Sequence, residues 1–128
     1  MARPENLWYS KTHEWVRMEG EVATVGITDY AQEQLGDVVM VELPAVGKGV
    51  TAGQEMGTVE SVKAVSEVFS PVSGTVVEVN GELEAHPELV NQDPFGAGWL
   101  VKVKVSEPPS GLMDAAAYEA FVQEEGGH

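Results

Sequence analysis

The chain has 128 residues, 43% of them hydrophobic, with no cysteine, seven basic and 21 acidic side chains, and a formal net charge of −14. That is one domain's worth of sequence with apolar material for an ordinary core, and the missing cysteine excludes a disulfide framework, a thiolate nucleophile and a cysteine metal site. The acidic imbalance leaves no basic patch for nucleic acid or for an anionic membrane.

Met-Ala-Arg-Pro-Glu-Asn at the start has no apolar run behind a basic segment, and no stretch approaches the ~20 apolar residues of a membrane span, so a soluble cytoplasmic protein is expected. Residues 1–10 read as irregular, with Leu7-Trp8-Tyr9 as an apolar anchor. Trp15-Val16-Arg17 and Glu21 to Val25 flank Met18-Glu19-Gly20, which predicts a hairpin with glycine in its turn. Thr28 is a candidate N-cap for a short helix, with Asp29 in the first turn and Gly36 as its stop. Val38 to Leu43 is a strand ended by Pro44.

Gly57 to Val62 and Ala64 to Phe69 are strand-like runs that meet at Val62-Lys63 without a spacer, which predicts a tight hairpin with a lysine at its tip. Tight hairpins favour Asn-Gly or Asp-Gly, because their usual turns need positive φ. Val-Lys breaks that local rule inside an otherwise consistent pattern, and such breaks point to function. Lys63, one of five lysines, thereby becomes the first candidate site: a long, flexible amine offered to another protein. Around it Val41, Pro44, Gly47 and Val50 recur 27 residues later as Val68, Pro71, Gly74 and Val77, suggesting two similar β units.

Thr75 to Val79 is a further strand turned by Asn80-Gly81, and Glu82 to Gly98 a long irregular connection with Glu88-Leu89-Val90 as a candidate single turn. Trp99 to Val105 alternates, with Trp99, Val101, Val103 and Val105 on one face and Lys102 and Lys104 on the other. Asp114 then caps a C-terminal helix whose apolar stripe is Ala117, Tyr118, Phe121 and Val122, ended by Gly126-Gly127. His13, His86 and His128 are too scattered for a metal site, and His13 reads as a packing or hydrogen-bonding residue. Trp8, Trp15 and Trp99 read as core. No Ser-His-Asp set, phosphate-cradling glycine loop or acid/base carboxylate pair is present, so a non-catalytic protein is expected.

Glu60-Ser61-Val62-Lys63-Ala64, with Gly47 sixteen residues before the lysine and Gly74 eleven after, resembles the attachment hairpin of lipoyl and biotinyl carrier domains. Biotin carriers usually flank their lysine with methionines; Val62 and Ala64 stand here instead, so the lipoyl reading leads. His13-Glu14-Trp15-Val16, Gly26 to Ala31, Leu35 to Val39, Val41-Glu42-Leu43-Pro44, Leu89-Val90-Asn91 and Gly98 to Lys104 further resemble the H proteins of the glycine cleavage system, over about His13 to Phe121.

The resemblance implies a mainly β domain spanning residues 1–128, a flattened two-sheet sandwich of the barrel-sandwich hybrid type with core about 15–105, short helices and a C-terminal helix about 114–125. It implies lipoic acid joined to Lys63 as an amide, with Ser61 and Ala64 leaving space around the side chain and an exposed Glu60 readable by the lipoate-attaching enzyme. The carrier, a monomer, would visit a pyridoxal-phosphate glycine decarboxylase, a tetrahydrofolate-dependent aminomethyltransferase and the flavin enzyme dihydrolipoyl dehydrogenase. A loaded arm is cationic, and Glu14 and Glu67 are the candidate carboxylates to shelter it. The rival readings are a lipoyl relay of the same fold and, from another class, a biotin carrier.

Overall fold

The computed structural model describes residues 4–126; Met1 to Arg3 of the stretch read as irregular, and Gly127 of the pair read as ending the last helix, lie outside the described residues. Among the described residues nine strands form two antiparallel sheets, one of six strands in the order β1-β2-β3-β9-β8-β5 and one of three in the order β4-β6-β7. The expected two-sheet β architecture with short helices and a C-terminal helix is what the chain adopts.

β2 (Glu14–Glu19) and β3 (Val22–Ile27) form the first hairpin, closed at Glu19 opposite Val22. Gly20 supplies its positive φ of 64°. Glu14, Trp15 and Val16 are all buried, so β2 is covered on both faces. Val16 joins Val25, Ile27, Val59, Val68, Val76 and Val103 in the main core. Trp15 turns the other way, lies flat against Gly26, where a Cβ would come within 2.7 Å of its ring, and joins a second cluster with Leu7, Tyr9 and Tyr118.

Helix α1 (Asp29–Leu35) begins and ends as its capping residues predict. Ala31 N–H donates to Thr28 Oγ1 at 3.2 Å, and Gly36 N–H donates to Gln32 O with φ at 82°. β4 (Val38–Glu42), β6 (Glu55–Ser61) and β7 (Val65–Phe69) make the small sheet, β6 in the middle. Val41 and Val68, equivalent in the 27-residue repeat, lie on the two strands flanking β6. β5 (Gly49–Val50) pairs with β8 (Gly74–Val79), and Gly47 N–H donates to Val76 O at 2.7 Å, so the repeated segments bond to each other.

Gly74 is required by that junction, because a Cβ there would run into Lys104 O and come within 2.9 Å of Val105 Cα. Neither obstacle is a flexible side chain. Gly74→Ala should therefore destabilise the fold by about 3 kcal/mol, read as a fall of roughly 10 °C in the thermal midpoint.

Four expectations are corrected. Trp8–Tyr9 is a short strand, β1, rather than irregular chain; it pairs with β2, and its alternation buries Tyr9 while leaving Trp8 46% exposed, outside any core. Between Glu82 and Gly98 the chain is less irregular than expected: the candidate turn at Glu88-Leu89-Val90 is present as the single-turn helix α3 (Leu89–Gln92), pinned by buried Val90, and a second, unanticipated one, α2 (Glu82–Ala85), precedes it, pinned by buried Leu83. β9 (Val101–Val105) starts two residues after Trp99, which packs against the second cluster with Lys102 Nζ 5.2 Å from its ring centroid. Helix α4 (Ala115–Gly126) buries Tyr118, stacked on Tyr9 at 4.8 Å, but leaves Ala117 exposed on the flank of its stripe. The cap expected at Asp114 is present, with Ala117 N–H donating to Oδ1 at 2.8 Å. Among the described residues no helix is long and apolar enough to cross a membrane.

Candidate functional site

The β6–β7 hairpin closes at Ser61 and Ala64, where Ser61 N–H donates to Ala64 O at 2.8 Å, leaving Val62-Lys63 as a two-residue tip. Among the described residues His13 alone combines a side chain with positive φ. Val62 and Lys63 therefore make neither of the favoured hairpin turns, both of which need positive φ at the first central residue. The buried Ser61 hydroxyl compensates. Its Oγ accepts from Lys63 N–H at 3.3 Å and Ala64 N–H at 3.1 Å, and lies 3.2 Å from Ala64 O as a donor. Ser61 thus holds the turn from beneath instead of merely leaving room beside the lysine.

Lys63 is exposed, Val62 and Val65 are 71% and 64% exposed, and Ala64 is exposed as well. Glu60, expected exposed, is half-buried, because β6 is a central strand and Glu60 is flanked by Met40 on one side and Val65 on the other. The tip also rests on a neighbour. Val62 N–H donates to Asp37 O at 3.0 Å, and a methyl group on Gly36 would come within 3.3 Å of Lys63 Cε.

Beside this hairpin lies a cleft of about 410 Å³ between the α1 face, the start of β2 and the outer side of β7. Ile27, Leu35, Val59 and Val68 give it an apolar wall, and Ala64 and Val65 carry it toward the tip. Both carboxylates singled out in the sequence, Glu14 and Glu67, line it. Their environments differ: Glu67 is exposed, whereas Glu14 is 1% exposed.

Burial pushes the Glu14 carboxyl up from 4.5 to about 7, against the opposing pull of its hydrogen bonds. Ser10 Oγ donates to Oε1 at 2.6 Å, Thr12 Oγ1 donates to the same oxygen, and Phe69 N–H donates to Oε2 at 3.1 Å. The carboxyl is thereby fixed in place while its charge is left to conditions near neutrality. Sequence reading missed Thr12, Tyr30 and Glu125 on the cleft wall; each is far along the chain from Lys63 and carries no local signal. His13, read as a hydrogen-bonding residue, lines the cleft too, with Nδ1 2.8 Å from Tyr118 Oη and Nε2 3.2 Å from Glu125.

Compared with known proteins, residues 7–125 match the family described as glycine cleavage H-protein. The chain belongs to the glycine cleavage H-protein family. It is 58% identical over 125 residues to the glycine cleavage system H protein of Nitratidesulfovibrio vulgaris, covering 98% of each chain. Over 122 residues it is 59% identical to that of Rubrobacter xylanophilus, covering 95% and 96% of the two chains. A crystal structure of a glycine cleavage system H protein from Mycobacterium marinum superposes with a TM-score of 0.87 at 38% identity, covering 97% of this chain and 99% of that one. H proteins are the lipoyl carriers of the glycine cleavage system, and that is the role of this chain. Its partners belong to the same system.

Proposed function

We propose that Lys63 is the lysine on which this H protein bears its lipoyl group, and that the cleft bounded by Glu14 and Glu67 shelters the arm when it carries a cationic amine. The observation that carries this reading is one exposed amine at the closed tip of a braced hairpin, next to a cleft with an apolar wall. The residues fit the group: Ile27, Leu35, Val59 and Val68 suit an alkyl chain, and Glu14 and Glu67 suit an ammonium. When attached, the dithiolane supplies the redox and group-carrying chemistry, and the chain supplies position. The enzymes served are a pyridoxal-phosphate glycine decarboxylase, a tetrahydrofolate-dependent aminomethyltransferase, the flavin enzyme dihydrolipoyl dehydrogenase and the enzyme that attaches lipoate. The chain itself is a carrier without catalytic groups.

Within this scheme each residue has a physical task. Ser61 keeps the turn sharp with one hydroxyl, so the amine projects without a glycine beside it. Acylation removes the lysine's charge, which makes it easier for the arm to lie along an apolar wall. Glu14 offers a fixed, buried carboxyl on the cleft wall, where the low dielectric strengthens its attraction for a cation.

Peptide mapping by mass spectrometry after expression with lipoate tests the assignment. The peptide spanning Lys63 should carry one lipoyl group and resist trypsin after that residue, while Lys11, Lys48, Lys102 and Lys104 stay unmodified. A lipoyl group on another lysine, or a biotinyl mass at Lys63, would refute it.

A further inference from the structure

The carboxamide of Asn91 takes part in neither the hairpin nor the cleft, yet its hydrogen bonds converge on the segment that supports the hairpin tip. Asn91 sits on α3, next to Val90, which is fully buried in the main core. Its Nδ2 donates to Gly36 O at 2.8 Å and to Gln32 Oε1 at 3.1 Å, and its Oδ1 accepts from Val38 N–H at 2.8 Å. Gly36 and Val38 are the residues on either side of Asp37. The carbonyl held between them is the one that accepts from Val62 N–H at 3.0 Å.

This arrangement answers the problem posed by Val-Lys in a two-residue turn. From within the hairpin the tip has the Ser61–Ala64 closure and the Ser61 hydroxyl. From outside it has the Asp37 carbonyl, and a hydrogen bond to a loop constrains nothing unless that loop is itself fixed. Residue 36 is a glycine with φ 82° and ψ −157°, a conformation open mainly to glycine, so this backbone is soft unless tied down. Asn91 ties it at both ends from a platform anchored in the core. We infer that Asn91 is the positioning residue for Lys63, acting through the Gly36–Val38 loop to fix the direction in which the amine is presented to the enzyme that acylates it. The inference rests on Lys63 being the attachment site.

The test pairs two variants with two readouts. Asn91→Ala removes all three hydrogen bonds. Asn91→Asp keeps the shape and the acceptor for Val38 N–H but places an oxygen against Gly36 O and Gln32 Oε1. In the unmodified protein, backbone amide exchange at Val62 should quicken at least ~10-fold in both variants, while Val25 and Val103 in the large sheet keep wild-type rates. With the carrier as the varied substrate of a lipoate-attaching enzyme, kcat/KM should fall roughly 10-fold or more in both, in proportion to the exchange at Val62. Unchanged exchange at Val62, unchanged attachment kinetics despite faster exchange, an equal rise at Val103, or failure of both variants to fold would each overturn the inference. Failure of the Lys63 reading is seen separately, in the peptide map of the wild-type protein, and leaves the exchange result standing.

Discussion

Replacing Lys63 by arginine should leave the fold intact and abolish both lipoylation and glycine cleavage. The side chain is exposed, and its backbone N–H keeps its bond to Ser61 Oγ whatever follows Cβ. Stability should therefore change by no more than about 0.5 kcal/mol, the range for surface substitutions away from caps, cores and networks. Chemistry sets the size of the functional effect. Arginine retains length and charge but stays protonated, so it offers no free amine to form an amide. A reconstituted system should then release carbon dioxide from glycine at the rate found with no carrier present, and the intact mass should show no addition. Lys48→Arg is the matched control, since Lys48 is also exposed and also lies in a turn, closed by its N–H donating to Ala45 O at 3.1 Å. It should behave as wild type. Glycine cleavage by the Lys63→Arg protein at wild-type rate would move the attachment site elsewhere.

What could be read from the sequence was local in origin. The Lys63 hairpin is spelled out by two strands and a turn between Glu55 and Phe69, and helix α1 by the capping chemistry of Thr28 and Gly36. The features that escaped are made by residues distant along the chain. Asn91 bonds to backbone 53 and 55 residues away, and no periodicity encodes a side chain reaching across the fold. Helix α2 has four residues, too few to establish a 3.6-residue period, and it exists because Leu83 finds the core; the equally short α3 was legible only as the candidate turn at Glu88-Leu89-Val90. Trp8 and Ala117 were misplaced for a shared reason: both sit next to a buried aromatic, Tyr9 or Tyr118, and pattern alone does not say which neighbour wins the interior. Glu14 and Glu67 lie between these extremes. Their residue type was suggestive, but it took the packing of β2 beside β7 to bring them to one cleft.

Glu14 should titrate near neutrality, and both the stability of the protein and the lifetime of a cationic load should follow it. Its carboxyl is pushed from 4.5 to about 7 chiefly by burial, so the folded state binds a proton that the unfolded state has released. Between those values stability must fall as pH rises. The contribution is fully present below pH 4.5, erodes through the interval and is gone above about 7. With 1.36 kcal/mol per unit, wild type should lose about 3 kcal/mol relative to Glu14→Gln between pH 4 and pH 8. Comparing the two proteins across pH cancels any fixed offset from placing an amide opposite the Ser10, Thr12 and Phe69 donors, and carboxyl carbon NMR reads the midpoint directly. The functional consequence has the opposite sign. A cation in the cleft is held by the charged form, so loss of an amine load from the lipoylated protein should slow as pH rises from 6 to 8, by roughly 10-fold for a favourable pairing of about 1.4 kcal/mol. In Glu14→Gln the loss should be faster and flat over the same interval. Glu67 is exposed and better screened, so its replacement by glutamine should change the rate less and leave the pH profile in place. A pH-independent lifetime in wild type would detach Glu14 from the arm, whatever its titration does to the fold.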